Sequence, residues 1–125
     1  MHIEDIGRLI ISSAVKVHSH LGPGLLESAY QACLEYELTS AGLDVVSEVA
    51  LPVIYNGRKI EAGYRLDMLV NDMVIIENKA VEKLLPLHEA QLLTYLRLTQ
   101  CHLGYLLNWN VLLMKEGIKR MVYQL

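Results

Sequence analysis

The sequence predicts an α/β fold: a central mixed β-sheet flanked by helices, with elements in the order α-α-β-β-β-α-β. Three observations lead there. Apolar residues recur every three or four positions near the start of the chain, the period of one helix face. Apolar runs punctuated by Asn56-Gly57 and Asn71-Asp72 read as strands joined by tight turns. A strand, a helix and a further strand then follow in succession, the pattern of a right-handed crossover between parallel neighbours.

Each element has its own signal. Ile3, Ile6, Ile10, Ala14, Val17 and Leu21 line one side of a first helix, which Gly22-Pro23-Gly24 stops. A second helix is expected from about Leu25 to Ala41, with Gly42 as its C-cap. Val49, Leu51, Val53 and Tyr55 alternate as one strand leading into the Asn56-Gly57 hairpin. Residues 64–70 and 73–80 form two more strands around Asn71-Asp72. Pro86 closes a short linker, and a third helix runs from about Leu87 to Thr99 with Leu92, Leu93 and Leu96 on its apolar side. Leu103 to Trp109 reads as a buried strand. The tail from Ile118 to Tyr123 is too short to assign between an edge strand and a helical turn.

The 125 residues suffice for one domain, 1–125, with a core that needs no staples. Hydrophobic residues make up 53% and charged residues 20%, which excludes a disordered chain. Phe is absent, so aliphatic side chains fill the core. No apolar run approaches the roughly 18–20 residues of a membrane span, no signal peptide is expected, and a cytoplasmic location follows. Cys33 and Cys101 each sit in an apolar run and are expected as buried free thiols. The net charge of −3 argues against coating nucleic acid by charge alone, yet admits an enzyme that touches a few phosphates. High hydrophobicity in a short chain leaves room for a homodimer.

Charge inside the apolar strands is the feature that needs a reason. Glu77-Asn78-Lys79 closes the apolar run Val74-Ile75-Ile76, and Asp67 follows Tyr64-Arg65-Leu66 on the preceding strand. Alternation puts Glu77 and Lys79 on one face. An ordinary cross-strand ion pair of Lys79 with Asp67 or Glu77 would account for these residues without catalysis. Register separates the two readings. A two-residue turn at Asn71-Asp72 pairs Asp67 with Ile76 and sends the carboxylates to opposite faces. A three-residue connection, Asn71 to Met73, pairs Asp67 with Glu77 and puts both on the face of Lys79.

Asp67 followed by Glu77-x-Lys79 resembles the signature of the PD-(D/E)XK nuclease superfamily. Gly63-Tyr64-Arg65-Leu66-Asp67 is similar to the Gly-containing strand of its RecB-type branch, and Gln91-Leu92-Leu93-Thr94-Tyr95 to that branch's Gln-x-x-x-Tyr helix. Gly24-Leu25-Leu26-Glu27-Ser28-Ala29-Tyr30 matches the motif of the GxxExxY protein family, and the resemblance covers nearly the whole chain. It implies a restriction-endonuclease-like core and divalent-metal-dependent hydrolysis of phosphodiester bonds in nucleic acid, DNA foremost. The alternative is a nuclease-fold protein without useful turnover, acting in nucleic-acid binding or assembly. The resemblance further implies that Asp67 and Glu77 hold Mg²⁺ or Mn²⁺ with the backbone carbonyl of Asn78, and that Glu27 is an additional acid of the site. Lys79 would address the attacking water and the scissile phosphate, while Gln91 and Tyr95, one helical turn apart, would orient Lys79 or the substrate. The part of Lys79 in this reading is positioning of the water and charge stabilisation rather than that of a base.

Most of these residues also have ordinary explanations. Glu27 near a helix start suits the dipole, Tyr30 fits a core position with a partner for its hydroxyl, and Gln91 with Tyr95 could be a surface pair. Asn78 departs from the aliphatic residue expected there, and a buried Asn needs hydrogen-bond partners. His18 and His20 suit a helix C-terminus, His88 a helix start, and Trp109 a packing role. Lys115, Lys119 and Arg120 form a small basic cluster, more often a solvated face than a phosphate site.

Overall fold

The computed structural model describes all residues, 1–125. Two helices open the chain, α1 (Ile3–Leu21) and α2 (Glu27–Ser40). The strands that follow are β1 (Val45–Ala50), β2 (Val53–Tyr55), β3 (Arg58–Ile60), β4 (Arg65–Val70) and β5 (Val74–Lys79). Helix α3 (Pro86–Thr99) crosses over to β6 (Leu103–Asn108), and a 3₁₀ turn (Met114–Gly117) leads into β7 (Ile118–Val122).

Five strands form the main sheet in the order β1-β4-β5-β6-β7. Only β5 and β6 are parallel, and every other neighbour is antiparallel, so the sheet is mixed as expected. The parallel pair is central, and β6 is buried along its whole length because helices cover both faces. On one face, Ile6, Ile10 and Val17 of α1 and Leu34 and Leu38 of α2 pack on Met68, Val74, Ile76 and Tyr105. On the other, Leu92, Tyr95 and Leu96 of α3 pack on Ile75 and Leu106. Gly104 permits that close approach: a Cβ there would lie 3.2 Å from both the Ile75 carbonyl oxygen and a Leu92 methyl.

Two boundaries differ from the sequence reading. The alternation from Val49 to Tyr55 is not one strand. The strand begins earlier, at Val45, and ends at Ala50; Pro52, which has no N–H to donate, stands between it and a separate two-stranded hairpin, β2–β3. The unassigned tail is an edge strand, with Leu103 opposite Val122 and Leu107 opposite Ile118. The two cysteines are free; Cys101 is buried as expected, whereas Cys33 is only half-buried. No helix is long and apolar enough to cross a membrane.

Candidate active site

The β4–β5 register places the carboxylates. Val70 pairs with Val74, Leu69 with Ile75 and Met68 with Ile76, so Asn71, Asp72 and Met73 form a three-residue connection and Asp67 stands opposite Glu77. Asn71 and Asp72 both adopt left-handed backbone conformations, at φ 51° and 54°, which short Asx side chains tolerate.

Beyond Met68 and Ile76 the backbone ladder stops, and side chains take over its hydrogen bonds. The Asp67 N–H donates to Glu77 Oε2 at 2.8 Å, and the Asn78 N–H donates to Asp67 Oδ2 at 2.7 Å. Each carboxylate thus has one oxygen committed to a main-chain donor and one, Asp67 Oδ1 or Glu77 Oε1, with no hydrogen-bond donor from the protein. No cation lies within 4.0 Å of either carboxylate, and Lys79 forms no ion pair. The simple ion-pair explanation therefore fails. Glu77 is only 4% exposed. Burial first, and then the neighbouring Asp67 charge, push its carboxyl from the usual 4.5 up to about 8. Burial also raises Asp67, against the opposing pull of the Asn78 N–H and Lys79.

A cleft of about 720 Å³ opens at this end of the sheet, lined by Glu27, Gln31, Glu48 and Asp67 among others. Glu27 occupies the first position of α2, but its Oε1 accepts from the Ala80 N–H at 3.1 Å rather than capping its own helix. The Gly24…Glu27…Tyr30 spacing has a local cause. Gly24 turns the chain at φ 100°, a conformation that a Cβ disfavours. The buried Tyr30 hydroxyl donates to the Gly22 carbonyl at 2.5 Å and accepts from the Leu25 N–H at 3.1 Å, pinning the loop that delivers Glu27.

Glu48 is a site residue that sequence reasoning missed. Its backbone is left-handed, at φ 57° in mid-strand. Val45 before it packs with the α1/α2 core, whereas Val49 and Leu51 after it pack with the α3 core. The faces of β1 reverse at Glu48, opposite Asp67, and a regular alternation gives no hint of such a reversal. Asn78 is fully buried yet satisfied: Trp109 Nε1–H donates to its Oδ1 at 2.9 Å, and its Nδ2 donates to Gln31 Oε1 at 3.2 Å. Asn108, also missed, holds the segment after Lys79 by accepting from the Val81 N–H at 3.1 Å and donating to the Val81 carbonyl at 2.9 Å.

The remaining candidates divide. Tyr95 is buried on α3, edge-to-face with Tyr64, and near enough to Glu77 and Asp67 that their charge adds to burial in raising its hydroxyl. Gln91 lines an apolar groove of about 520 Å³ with Tyr64, Tyr95, Leu87 and Arg97, and neither it nor Tyr95 hydrogen-bonds Lys79. His88 caps the start of α3 by accepting from the Leu85 N–H at 3.0 Å. Lys119 and Arg120 are engaged with Glu89 and Glu4, at 3.8 and 2.8 Å.

The donor set suits a hard divalent cation, which takes oxygen ligands and is commonly held by one or two carboxylates with water completing its shell. No three acidic, His or Cys side chains stand close enough to enclose an ion by themselves. Asp67, Glu77 and the Asn78 carbonyl are the residues that would hold it, and Glu27 lines the same cleft as Asp67.

Among known protein families, a model described as the PD-(D/E)XK nuclease superfamily matches residues 4–121. No curated protein and no solved structure matches the chain.

Proposed function

The chain belongs to the PD-(D/E)XK nuclease superfamily, and we propose that it hydrolyses phosphodiester bonds in nucleic acid, DNA foremost, with Mg²⁺ or Mn²⁺. One observation carries the reading: two facing carboxylates, one of them buried, are held by main-chain N–H groups with no cation paired to either. Such a pair is costly alone and gains most from a bound cation. A divalent ion there supplies a more acidic water and offsets charge growing at phosphorus. Asp67 and Glu77 bind and orient it. Lys79, on the same face of β5 as Glu77, positions the attacking water and stabilises the pentavalent phosphorus. Tyr95 and Gln91 border the substrate side. Within the superfamily, the Gly24-x-x-Glu27-x-x-Tyr30 motif and Gln91-x-x-x-Tyr95 favour the GxxExxY proteins and the RecB-type branch.

The test is incubation of the purified protein with plasmid and single-stranded DNA in Mg²⁺ or Mn²⁺, beside Lys79→Ala. Cleavage by the wild type and far weaker cleavage by the variant supports the reading; equal cleavage by both ends it.

A second reading is a nuclease-fold protein without useful turnover that acts in binding or assembly, including as a homodimer. The apolar groove along α3, with Leu87 75% exposed at its edge, favours it. Calorimetric Mg²⁺ binding without cleavage, together with a dimer on gel filtration, would select this alternative.

A further inference from the structure

The side chain of Gln31 lies at the junction between α2 and the acidic end of the sheet, and its hydrogen bonds have a definite polarity. Trp109 starts the chain of bonds. Its indole N–H can only donate, and it lies 2.9 Å from Asn78 Oδ1 with both residues fully buried. That contact turns the Asn78 amide so that Nδ2 faces Gln31 Oε1 at 3.2 Å. Gln31 is turned in the same way: its Nε2 must point outward, where it reaches Glu48 Oε1 at 2.9 Å and the Asp67 carbonyl at 3.2 Å. Every link runs from donor to acceptor, and the polarity is set at the end remote from the cleft.

Asp67 is consequently held twice by this chain. Asn78 fixes its carboxylate through the backbone N–H, and Gln31 fixes its carbonyl. Glu48 is held beside it in the cleft that Glu27 also lines. Trp109 itself is immobilised by stacking on Tyr30, with ring centres 4.8 Å apart and planes within 6°, and by its own backbone N–H on the Lys79 carbonyl. The loop that delivers Glu27 and the strand end that carries Lys79 therefore meet at one residue, through the indole of Trp109 on Tyr30 and its backbone N–H on Lys79.

We infer that Gln31 is a positioning residue of this site, transmitting the orientation set by Trp109 and Asn78 to Asp67 and Glu48. This inference rests on the metal-dependent reading above. Groups that orient metal ligands from outside commonly change metal affinity by roughly ten- to a hundredfold when removed. Gln31→Met preserves the length of the side chain and deletes both ends of the link. Gln31→Glu preserves the acceptor for Asn78 but sets a carboxylate against Glu48 and the Asp67 carbonyl.

Trp109 is the sole tryptophan, so a labelled sample gives one indole N–H resonance, and it sits on the chain in question. The experiment titrates the full chain with Mg²⁺ alone, following that resonance by NMR and affinity by calorimetry, with the unfolding midpoint of each metal-free variant as the structural control. The expected result has three parts. Mg²⁺ shifts the wild-type indole resonance, Gln31→Met binds Mg²⁺ roughly tenfold more weakly without that shift, and Gln31→Glu weakens binding further. Either variant binding Mg²⁺ with wild-type affinity and the wild-type shift overturns the inference while leaving the metal-dependent reading intact. A lowered unfolding midpoint with unchanged affinity assigns Gln31 a structural part only and likewise overturns it. No Mg²⁺ or Mn²⁺ binding by the wild type overturns both.

Discussion

The β4–β5 hairpin has two halves in one register, and they differ in what their side chains do. Near the turn, Met68 to Val70 pairs with Val74 to Ile76 as a regular ladder of apolar residues, all buried except the half-buried Leu69. At the far end, Asp67 opposes Glu77, the ladder stops, and carboxylates accept the main-chain hydrogen bonds. The first half gains stability by removing apolar surface from water. The second retains two acids in a low-dielectric setting, where ionisation opposes folding. Strand pairing is thus regular among the apolar residues and gives way where the two carboxylates take over its hydrogen bonds.

The largest effect expected is in the apolar half. Ile76→Ala, at a fully buried position, should lower stability by about 2–5 kcal/mol in denaturant unfolding through lost burial and a residual cavity. Mg²⁺ affinity of the folded fraction should be unchanged; a marked loss would mean that the halves are energetically coupled. Next is Lys79→Ala, expected to reduce DNA cleavage by roughly 10²-fold, about 2.7 kcal/mol, as for removal of one transition-state donor. Its unfolding midpoint should stay near that of the wild type because Lys79 has no ion-pair partner to lose.

The acidic half makes a signed pH prediction. Glu77 rises from 4.5 to about 8 in the folded state, so between those values the native protein holds the proton more tightly than the unfolded chain. Its contribution to stability is fully present below about pH 4.5 and is lost as pH rises through about 8. Metal-free wild type should therefore lose stability from pH 5 to pH 8.5 relative to Glu77→Gln, by no more than about 4 kcal/mol. Because ligation needs the carboxylate, Mg²⁺ affinity should rise over the same interval. Parallel pH profiles for the two proteins would remove the contrast between the halves. The smallest effect expected is for Tyr30→Phe, which loses the hydroxyl bonds to Gly22 and Leu25, at about 1 kcal/mol of stability. Its use is to show whether the pinned loop matters to the acidic half: Mg²⁺ affinity should fall if Glu27 contributes and hold if it does not.

Much of this was legible in the residues. The helical period located α1, breaker and cap residues framed α2, Pro86 and a leucine-rich side marked α3, and apolar runs bounded by turn residues located β4, β5 and β6. An odd-length connection at Asn71–Met73 is a condition that the sequence itself sets for bringing Asp67 and Glu77 onto one face, since register and side-chain face are tied by the pleat. The run from Val49 to Tyr55 reads as one strand because alternation persists across Pro52, which ends the pairing. The final strand was not assignable because an edge strand is defined by its neighbour and not by its own composition.

The sequence by itself determined the fold class, the three helices, the succession of β4, β5, α3 and β6, and the acidic and basic residues available at the end of the hairpin. These follow from hydrophobic period and residue chemistry, which are properties of a short window. Only the tertiary structure decided how those residues are deployed: that Lys79 does not pair with Asp67 or Glu77, that β1 reverses its faces at Glu48, and that Gln31, Asn78 and Trp109 form one oriented chain. Gln31 meets Asn78 across 47 residues and Trp109 meets Asn78 across 31. A buried hydrogen bond has no periodicity along the chain; its donor and acceptor are chosen by the packing that excludes water from both.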